Sequence, residues 1–481
     1  GQYFANQSYV EKLSPASGTT KPYPLVFIHG IGQTGTNWLT KPDGNPGLSS
    51  YFLRQGYTIY LLDQPSHGRS PFLGTPINNY THVFPLSAEV IASRFTAPEL
   101  YSSYPRAELH TQWPGGTGSG GQGNPAFDAY FAATVPSLVA NIPQQTAVRA
   151  AGAALLDRIG TPVILIGHSQ GGTMPWLIAD VRPGFVHAIV ALEPAGPPFV
   201  EPALNGKVPA RAWGMTDIPM AYEPAVEDPA VDLVLTVTRA NSTDEEDCWV
   251  QAESPVPRQL VNLKGVRALV VTGEASWHVM YDWCSVKFLR QAGIETDHVS
   301  LANVGVRGNG HMLFLEMNSD ESAKVVADWV ERLEEGCLLQ IDRKAVVDDR
   351  VVAVENPTMA LDGVKNDDVT EANQEVYGSS DDLLMLLDED ENAFRNMIKD
   401  IPDVMLLSDR MTRVTAMETI RSETASMTMQ WLKEIAHRIK DNGAQAESTY
   451  LLSYSFWSLL RQVSPDEFLE AYIATSPERF K

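Results

Sequence analysis

The ten residues V-I-L-I-G-H-S-Q-G-G, at positions 163–172, decide the fold. The apolar run at 163–166 is typical of a strand that is buried on both faces of a parallel sheet. The turn G-H-S-Q-G at 167–171 follows directly, and apolar residues then recur at helical spacing from position 174 to 178. The stretch therefore predicts a strand, a sharp turn with Ser169 at its centre, and a helix.

The turn matches the pattern G-x-S-x-G, which marks a serine held in a strained turn between a strand and a helix. Glycine is needed on both sides because a Cβ there would collide with the strand or the helix. Since the strand, the turn and the helix all agree, we predict that Ser169 is a nucleophile. The alternative is a chance pair of glycines in a turn.

Residues 1–335 alternate short β-branched runs with helical patterns, as in the run A-L-V-V-T at 268–272. This alternation is the signature of a mostly parallel sheet flanked by helices. We therefore predict the α/β fold class and a single domain over 1–335.

The composition of the sequence changes near residue 335. Acidic residues cluster after it, and more than half of the net negative charge lies there. Polar sequence at 336–380 precedes apolar residues at helical spacing within 415–441. We predict an acidic linker at 336–380 and a small helical module at 381–481, as a C-terminal helical appendage whose apolar stripe faces its own core or binds a partner.

The formal net charge of −23 bears on the partners of the protein. Nucleic acids are bound by clustered Lys and Arg, which this sequence lacks, so we expect no nucleic-acid partner. The three cysteines include no C-x-x-C pair, which disfavours a disulfide framework and a thiolate metal site. We also expect no transmembrane segment, because no late apolar run approaches the roughly 20 residues that a bilayer requires.

A serine hydroxyl needs a base within hydrogen-bond reach and a carboxylate that orients this base. With this type of turn, the acid and then the histidine follow Ser169 along the chain. The histidine candidates are His187, His278, His298 and His311. His187 and His298 fall within predicted strands, which favours structural roles. His311 follows the last strand in the loop G-N-G-H, so we predict that it is the general base.

The oxygen that becomes negative during acyl transfer needs two N–H donors in a site that excludes water. The first predicted donor is the backbone N–H of Gln170, directly after the nucleophile. The second should come from the loop H-G-I-G-Q-T-G at 29–35, whose glycines let the backbone approach a substrate. We predict the N–H of Ile31, aided by Gly32, and a structural role for His29.

Four segments together resemble the α/β-hydrolase superfamily. They are H-G-I-G-Q-T-G-T-N-W at 29–38, D-Q-P-S-H-G-R-S at 63–70, G-H-S-Q-G-G at 167–172 and G-N-G-H-M at 308–312. The second segment resembles a small branch of bacterial and fungal serine esterases. The resemblance covers about 8–335 and implies the α/β-hydrolase fold. Within the second segment, we expect Asp63 and Arg69 to fix their loop through a local ion pair.

Two glutamates compete for the role of the acid, because each follows a predicted strand. The usual position in the superfamily is after the later strand, which favours Glu274. In the branch that the sequence resembles, the acid follows the strand just after the nucleophile helix, in V-E-P-like sequence. The match A-L-E-P at 191–194 favours Glu193. We predict Glu193, with Glu274 as the alternative.

Two stretches, 71–125 and 194–265, are too long to be plain connections. We predict that both are lid insertions over the carboxyl edge of the sheet, where ligands of open α/β sheets bind. Five aromatic residues are candidates for lining an apolar pocket there: Trp38, Phe72, Trp113, Trp213 and Trp249.

The sequence predicts a serine hydrolase that cleaves a small-molecule carboxylic ester or lactone through a Ser-His-Glu triad and an acyl-enzyme. This chemistry requires no metal and no organic cofactor. The alternative is a non-catalytic hydrolase-like protein whose helical tail binds another protein. The N-glycosylation acceptor pattern N-x-[ST] occurs at Asn6, Asn79 and Asn241 and weakly favours secretion. The sequence does not otherwise determine the compartment.

Overall fold

The computed structural model describes residues 6–72, 83–138 and 140–334. The predicted linker at 336–380 and the predicted helical module at 381–481 lie outside the described residues. Within the described ranges, no helix combines the length and the apolar character needed to cross a bilayer.

Thirteen strands are found in this part of the chain. They are β1 Val10–Leu13, β2 Leu25–Ile28, β3 Ile59–Leu62, β4 Val83–Phe84, β5 Ser137–Leu138, β6 Val163–Ser169, β7 Val186–Pro194, β8 Tyr222–Glu223, β9 Leu235–Thr238, β10 Cys248–Gln251, β11 Gln259–Leu260, β12 Arg267–Thr272 and β13 Glu295–Ser300. The α-helices in the same ranges are α1 Leu48–Arg54, α2 Ala88–Ile91, α3 Pro125–Ala132, α4 Asn141–Ile159, α5 Met174–Val181, α6 Pro229–Asp232, α7 Asp282–Gln291 and α8 Ser319–Glu334.

A seven-stranded sheet forms the centre of the fold, in the order β1-β3-β2-β6-β7-β12-β13. Strand β1 runs antiparallel to β3, and the other neighbours are parallel. The predicted strand at 163–166 is part of β6, which lies between β2 and β7 and is buried up to His168. Helix α1 packs against α8, and α4 packs against α5. The predicted α/β fold with a mostly parallel, helix-flanked sheet is confirmed.

The register of the sheet brings candidate site residues to one edge. Ser169 at the end of β6 lies opposite Pro194 at the end of β7. Glu274 follows the end of β12, which pairs in parallel with β7. Because the carboxyl ends of parallel strands meet at the same edge, the serine and both candidate acids emerge on the side where such sheets bind ligands.

Two long segments interrupt the alternation of strands and helices. In the first, β4 pairs with β5 through Val83 and Leu138, so this irregular segment continues beyond residue 125. In the second, between β7 and β12, the hairpin β9-β10 and the pair β8-β11 form separate two-stranded sheets. Their role as lids stays a prediction.

Asp63 anchors the loop after β3 to the loop after β2. Its fully buried carboxylate accepts hydrogen bonds from the Gly35 N–H at 2.7 Å and from the Arg69 guanidinium at 2.8 and 2.9 Å. Arg69 also reaches Glu11 on β1 at 2.7 Å. Burial raises the pKa of Asp63, but the hydrogen bonds from Arg69 and Gly35 outweigh it and lower the pKa. The predicted local ion pair is confirmed.

We expect Asp63→Asn to destabilise the protein by about 2 kcal/mol, because the substitution removes the charge that a buried hydrogen-bond network requires. Asp157 is a matched control, since it also binds an arginine, Arg182, through two hydrogen bonds but on the exposed surface. Asp157→Asn should change the free energy of unfolding far less. Urea unfolding measures both variants, and equal losses would contradict the anchoring role.

Candidate active site

Ser169 ends β6 and precedes a 3-10 turn, Gln170–Thr173, that leads into α5. Its backbone has φ 56° and ψ −127°, which is costly for a residue with a side chain. The flanking glycines are required by close contacts. A Cβ on Gly171 would lie 2.1 Å from His29 O, and one on Gly167 would lie 2.4 Å from Gly171 O. The strained turn that the sequence predicts is therefore present.

Glu193 and His311 form a buried pair at the same edge. The His311 Nδ1 atom lies 2.6 Å from Glu193 Oε2, and the two side chains are 1% and 0% exposed. The Glu193 carboxylate also accepts hydrogen bonds from the Gly273 N–H at 2.7 Å and from Ser276 Oγ at 2.8 Å. A Cβ on Gly273 would lie 2.7 Å from Asn309 O, so glycine lets the histidine loop close onto the glutamate.

The surroundings of this pair set its protonation. Burial lowers the pKa of His311 well below its ordinary value, and the neighbouring His168 and His278 lower it further. Burial and the nearby Asp282 raise the pKa of Glu193 well above its ordinary value, although the Gly273 and Ser276 hydrogen bonds partly offset this rise. Because Nδ1 faces the carboxylate, it carries the ring proton, which leaves Nε2 of a neutral His311 free to accept one.

Glu274 occupies a different environment from Glu193. Its carboxylate pairs with Arg307 at 2.5 Å and accepts a hydrogen bond from the Gly308 N–H at 2.8 Å. Glu274 thus fastens the loop that precedes His311, while Glu193 bonds to the His311 ring itself.

Two residues that the sequence did not single out hold the histidine loop in place. Glu316 accepts hydrogen bonds from Asn309 Nδ2 at 2.7 Å, from the Gly310 N–H at 2.9 Å and from His110 Nε2 at 3.0 Å. His110, from the first insertion, also bonds Glu99 at 2.7 Å. Burial lowers the pKa of His110, but hydrogen bonds to the two glutamates outweigh it and raise the pKa to about 9. Glu316 lies five positions after His311, and this proximity was the one available signal.

Aromatic rings pack around His311. Its ring centroid lies 4.2 Å from that of Trp277 and 5.5 Å from that of Phe95, and His278 stacks on it at 4.8 Å with an interplanar angle of 8°. Phe95 and Trp277 also contact each other, at 5.7 Å. One ring comes from the first insertion and the other from the loop after β12.

The aromatic residues proposed from the sequence lie in other environments. Trp38 is fully buried and packs on Phe27 and Phe314 within the core. Trp113 is also fully buried, whereas Phe72 is 46% exposed. The other two are Trp213, which stacks on Tyr222, and Trp249, which is 42% exposed. Sequence reasoning therefore missed Phe95 and Trp277, which contact the His311 ring.

The predicted N–H donors differ in what they already bind. The Gly32 N–H donates to Ser137 Oγ at 2.7 Å, so in this structure it is committed to a protein acceptor. Ile31 is half-buried in the turn before it. Gln170 begins the 3-10 turn, where the first N–H groups have no partner inside the helix.

Three histidines for which the sequence predicts structural roles are held by contacts away from the Glu193–His311 pair. His29 Nδ1 bonds Gly30 O at 2.8 Å while its Nε2 accepts from the Gln64 N–H at 3.0 Å, and burial lowers its pKa to about 3. His187 stacks on Tyr23, and His298 bonds Thr272 at 2.9 Å. These contacts agree with the structural roles predicted for the three histidines.

One cluster has the donor set of a metal site. Nitrogen and carboxylate atoms of Glu193, His278 and His311 all lie within 4.8 Å of one another. However, His278 Nδ1 bonds Asp282 at 3.0 Å and its Nε2 bonds Tyr281 at 3.1 Å, while His311 bonds Glu193. Hydrogen bonds therefore account for this cluster without an ion.

Comparison with known proteins adds the family to this geometry. Residues 25–328 match the family described as "Alpha/beta hydrolase family". The chain belongs to the alpha/beta hydrolase family. The match covers all of the central sheet except β1, together with both insertions. It confirms the superfamily that the sequence motifs resemble.

This alpha/beta hydrolase is 44% identical over 337 residues to "Probable secreted lipase phiG" of Fungal sp. (strain ATCC 74256). The aligned region covers 69% of this chain and 88% of that protein. It is similar to a solved "Novel Bacterial Esterase" at 22% identity, with a TM-score of 0.47 and coverage of 69% of this chain and 87% of the other. A second similar structure is the Paleococcus ferrophilus monoacylglycerol lipase, at 15% identity and a TM-score of 0.33, with coverage of 68% of this chain and 99% of the other.

The contacts of His110 predict a pH-dependent stability in this hydrolase. Since folding raises the pKa from 6.5 to about 9, the protonated ring contributes its full stabilisation below pH 6.5 and loses it as the pH rises through 9. The contribution should be about 2–3 kcal/mol near pH 6.5. We expect the difference in melting temperature between the wild type and His110→Gln to shrink between pH 6.5 and 10.

His187→Gln is the matched control, because burial lowers the pKa of His187 and, among the described residues, no carboxylate bonds its ring. Its difference from the wild type should stay constant across the same pH range. A constant difference for His110→Gln as well would contradict the charged bridge between Glu99 and Glu316.

Proposed function

We propose that the protein is a serine hydrolase that cleaves carboxylic esters or lactones through an acyl-enzyme. The observation that supports this most strongly is the 2.6 Å contact between His311 Nδ1 and Glu193 Oε2, at the same sheet edge as the strained Ser169. Ser169 is the nucleophile, His311 the general base and Glu193 the acid that orients it. This order along the chain is the one that the G-x-S-x-G turn requires.

In the first half of the reaction, Ser169 Oγ attacks the carbonyl carbon while His311 Nε2 takes the hydroxyl proton. The carbonyl oxygen becomes negative and accepts hydrogen bonds from the N–H groups of Ile31 and Gln170. Glu193 stabilises the imidazolium. His311 then gives its proton to the leaving oxygen, the C–O bond breaks and the acyl group stays on the serine.

In the second half, water attacks the acyl carbon while His311 takes one of its protons. The tetrahedral intermediate collapses, the serine oxygen leaves and receives that proton, and a carboxylic acid is released. Every proton in this cycle passes through His311, whose lowered pKa leaves the ring neutral before the reaction. The Glu193 side chain at 2.6 Å then stabilises the positive charge that forms when the ring accepts a proton.

The substrate class is supported by similarity and by the surroundings of His311. The relative that is 44% identical is named a lipase, which favours an ester as the substrate. The rings of Phe95 and Trp277 beside His311 offer apolar surface for an acyl chain. The name of the same relative includes the word "secreted", which supports the proposal that this protein is also secreted.

A fluorophosphonate probe tests the nucleophile. We expect the wild type to gain one adduct by intact mass and Ser169→Ala to gain none, because the probe reacts with an activated serine. Ser17→Ala, which changes an exposed serine, should still be labelled. An unlabelled wild type, or an adduct on Ser169→Ala, would exclude this mechanism and favour the non-catalytic alternative.

The two glutamates can be separated by kinetics. Glu193→Gln should reduce kcat/KM for a p-nitrophenyl ester by about 10³-fold or more, because the neutral amide no longer stabilises the imidazolium or selects its tautomer. Glu274→Gln should cost less than about tenfold, since Glu274 only supports the loop through Arg307 and Gly308. A larger loss for Glu274→Gln would reverse the assignment of the acid.

A further inference from the structure

Gln64 lies between the two loops that supply the proposed oxyanion donors. Its fully buried side chain donates through Nε2 to His29 O at 2.6 Å and to Gln170 Oε1 at 3.2 Å. Its backbone N–H donates to His29 Nε2 at 3.0 Å. One residue thus bonds both the loop after β2 and the turn after β6.

These bonds act close to the donors themselves. His29 O lies two residues before Ile31, and Gln170 is the residue whose backbone N–H is the other donor. The two loops also touch, since a Cβ on Gly171 would lie 2.1 Å from the same His29 O. The position of the Gln64 amide therefore bears on the distance between the two N–H groups.

A second buried glutamine fixes the orientation of this amide. Gln144 on α4 is fully buried and donates through Nε2 to Gln64 Oε1 at 2.7 Å. Turning the Gln64 amide over would place its oxygen against His29 O and Gln170 Oε1, two acceptors, and its NH₂ against the Gln144 NH₂. Among the described residues, Gln144 Oε1 has no hydrogen-bond partner. The free-energy cost of burying this oxygen is partly offset by the hydrogen bond that Gln144 Nε2 donates to Gln64.

We propose that Gln64, oriented by Gln144, is a positioning residue that sets the spacing of the Ile31 and Gln170 N–H groups. The inference rests on the proposed function. Oxyanion donors act over a narrow range of about 2.7–3.1 Å from the developing charge. A small shift of either loop therefore reduces the stabilisation of the transition state more than it reduces the binding of the substrate. In the sequence, Gln64 belongs to the segment D-Q-P-S-H-G-R-S, in which the pattern predicts a structural ion pair between Asp63 and Arg69.

The test compares Gln64→Met and Gln144→Met with Gln145→Met in the full chain. Methionine keeps the length of the side chain and removes its hydrogen bonds. Gln145 is the matched control, because it is also a buried glutamine on α4 but bonds Asp217 and Ile218 in the second insertion. The measurements are kcat and KM for a p-nitrophenyl ester and inhibition by a trifluoromethyl ketone, whose serine adduct carries a negative oxygen.

We expect Gln64→Met to lower kcat by about 10- to 100-fold with KM within about twofold of the wild type, and to weaken the ketone by a similar factor. Gln144→Met should show the same pattern with a smaller loss, and the double variant should lose less than the product of the two. Gln145→Met should keep kcat and the ketone affinity.

The proposal is overturned if Gln64→Met and Gln144→Met keep kcat, or if they change only KM or lose no more than Gln145→Met at equal melting temperature. If Gln64→Met does not fold, the result for Gln144→Met decides alone, since Gln64 is the residue that connects the Gln144 side chain to the loops within the described part of the chain. Fluorophosphonate labelling of Ser169 separates the two hypotheses. An unlabelled wild type refutes the proposed function, whereas a labelled wild type with unchanged variants refutes only the role of Gln64.

Discussion

The hydrogen bond between His311 Nδ1 and Glu193 Oε2 is the interaction on which the candidate site depends. It joins two residues that are 118 positions apart and almost completely buried, so neither side chain can turn to water for a partner. The contacts around them complete this pairing. Gly273 and Ser276 donate further hydrogen bonds to the glutamate, and Glu316 holds the loop that presents the imidazole.

The backbone is strained where the two neighbouring strands β6 and β7 end. Ser169 and Glu193 both have positive φ, 56° and 46°, and lie at the ends of the neighbouring strands β6 and β7. The surrounding structure over-determines both conformations, since the strands are buried and the Ala195 N–H donates to Ser169 O at 2.9 Å. Both residues therefore lie at the carboxyl edge of the sheet.

The two insertions are connected to each other and to this edge. Arg106 of the first insertion pairs with Asp244 of the second at 2.6 Å, and Arg94 bonds Asn205 at 2.9 Å. His110 of the first insertion bonds Glu316 beside the histidine loop. A movement of either insertion would therefore displace groups that contact the loop of His311.

The sequence by itself determined the α/β class and the strained turn at Ser169, because a buried strand, a glycine-flanked turn and a helix are adjacent in the chain and need no distant partner. It also placed His311, since a Gly-rich loop after the last strand is a local pattern. Glu193 and Glu274 had the same local context, and only the family resemblance favoured one of them. The tertiary structure gave each a distinct partner, His311 for one and Arg307 for the other. Glu316 joins the nearby Asn309 and Gly310 to the distant His110. His110 and the amide of Gln64 gain their contacts from segments far apart in the chain, which no periodicity or motif spacing encodes.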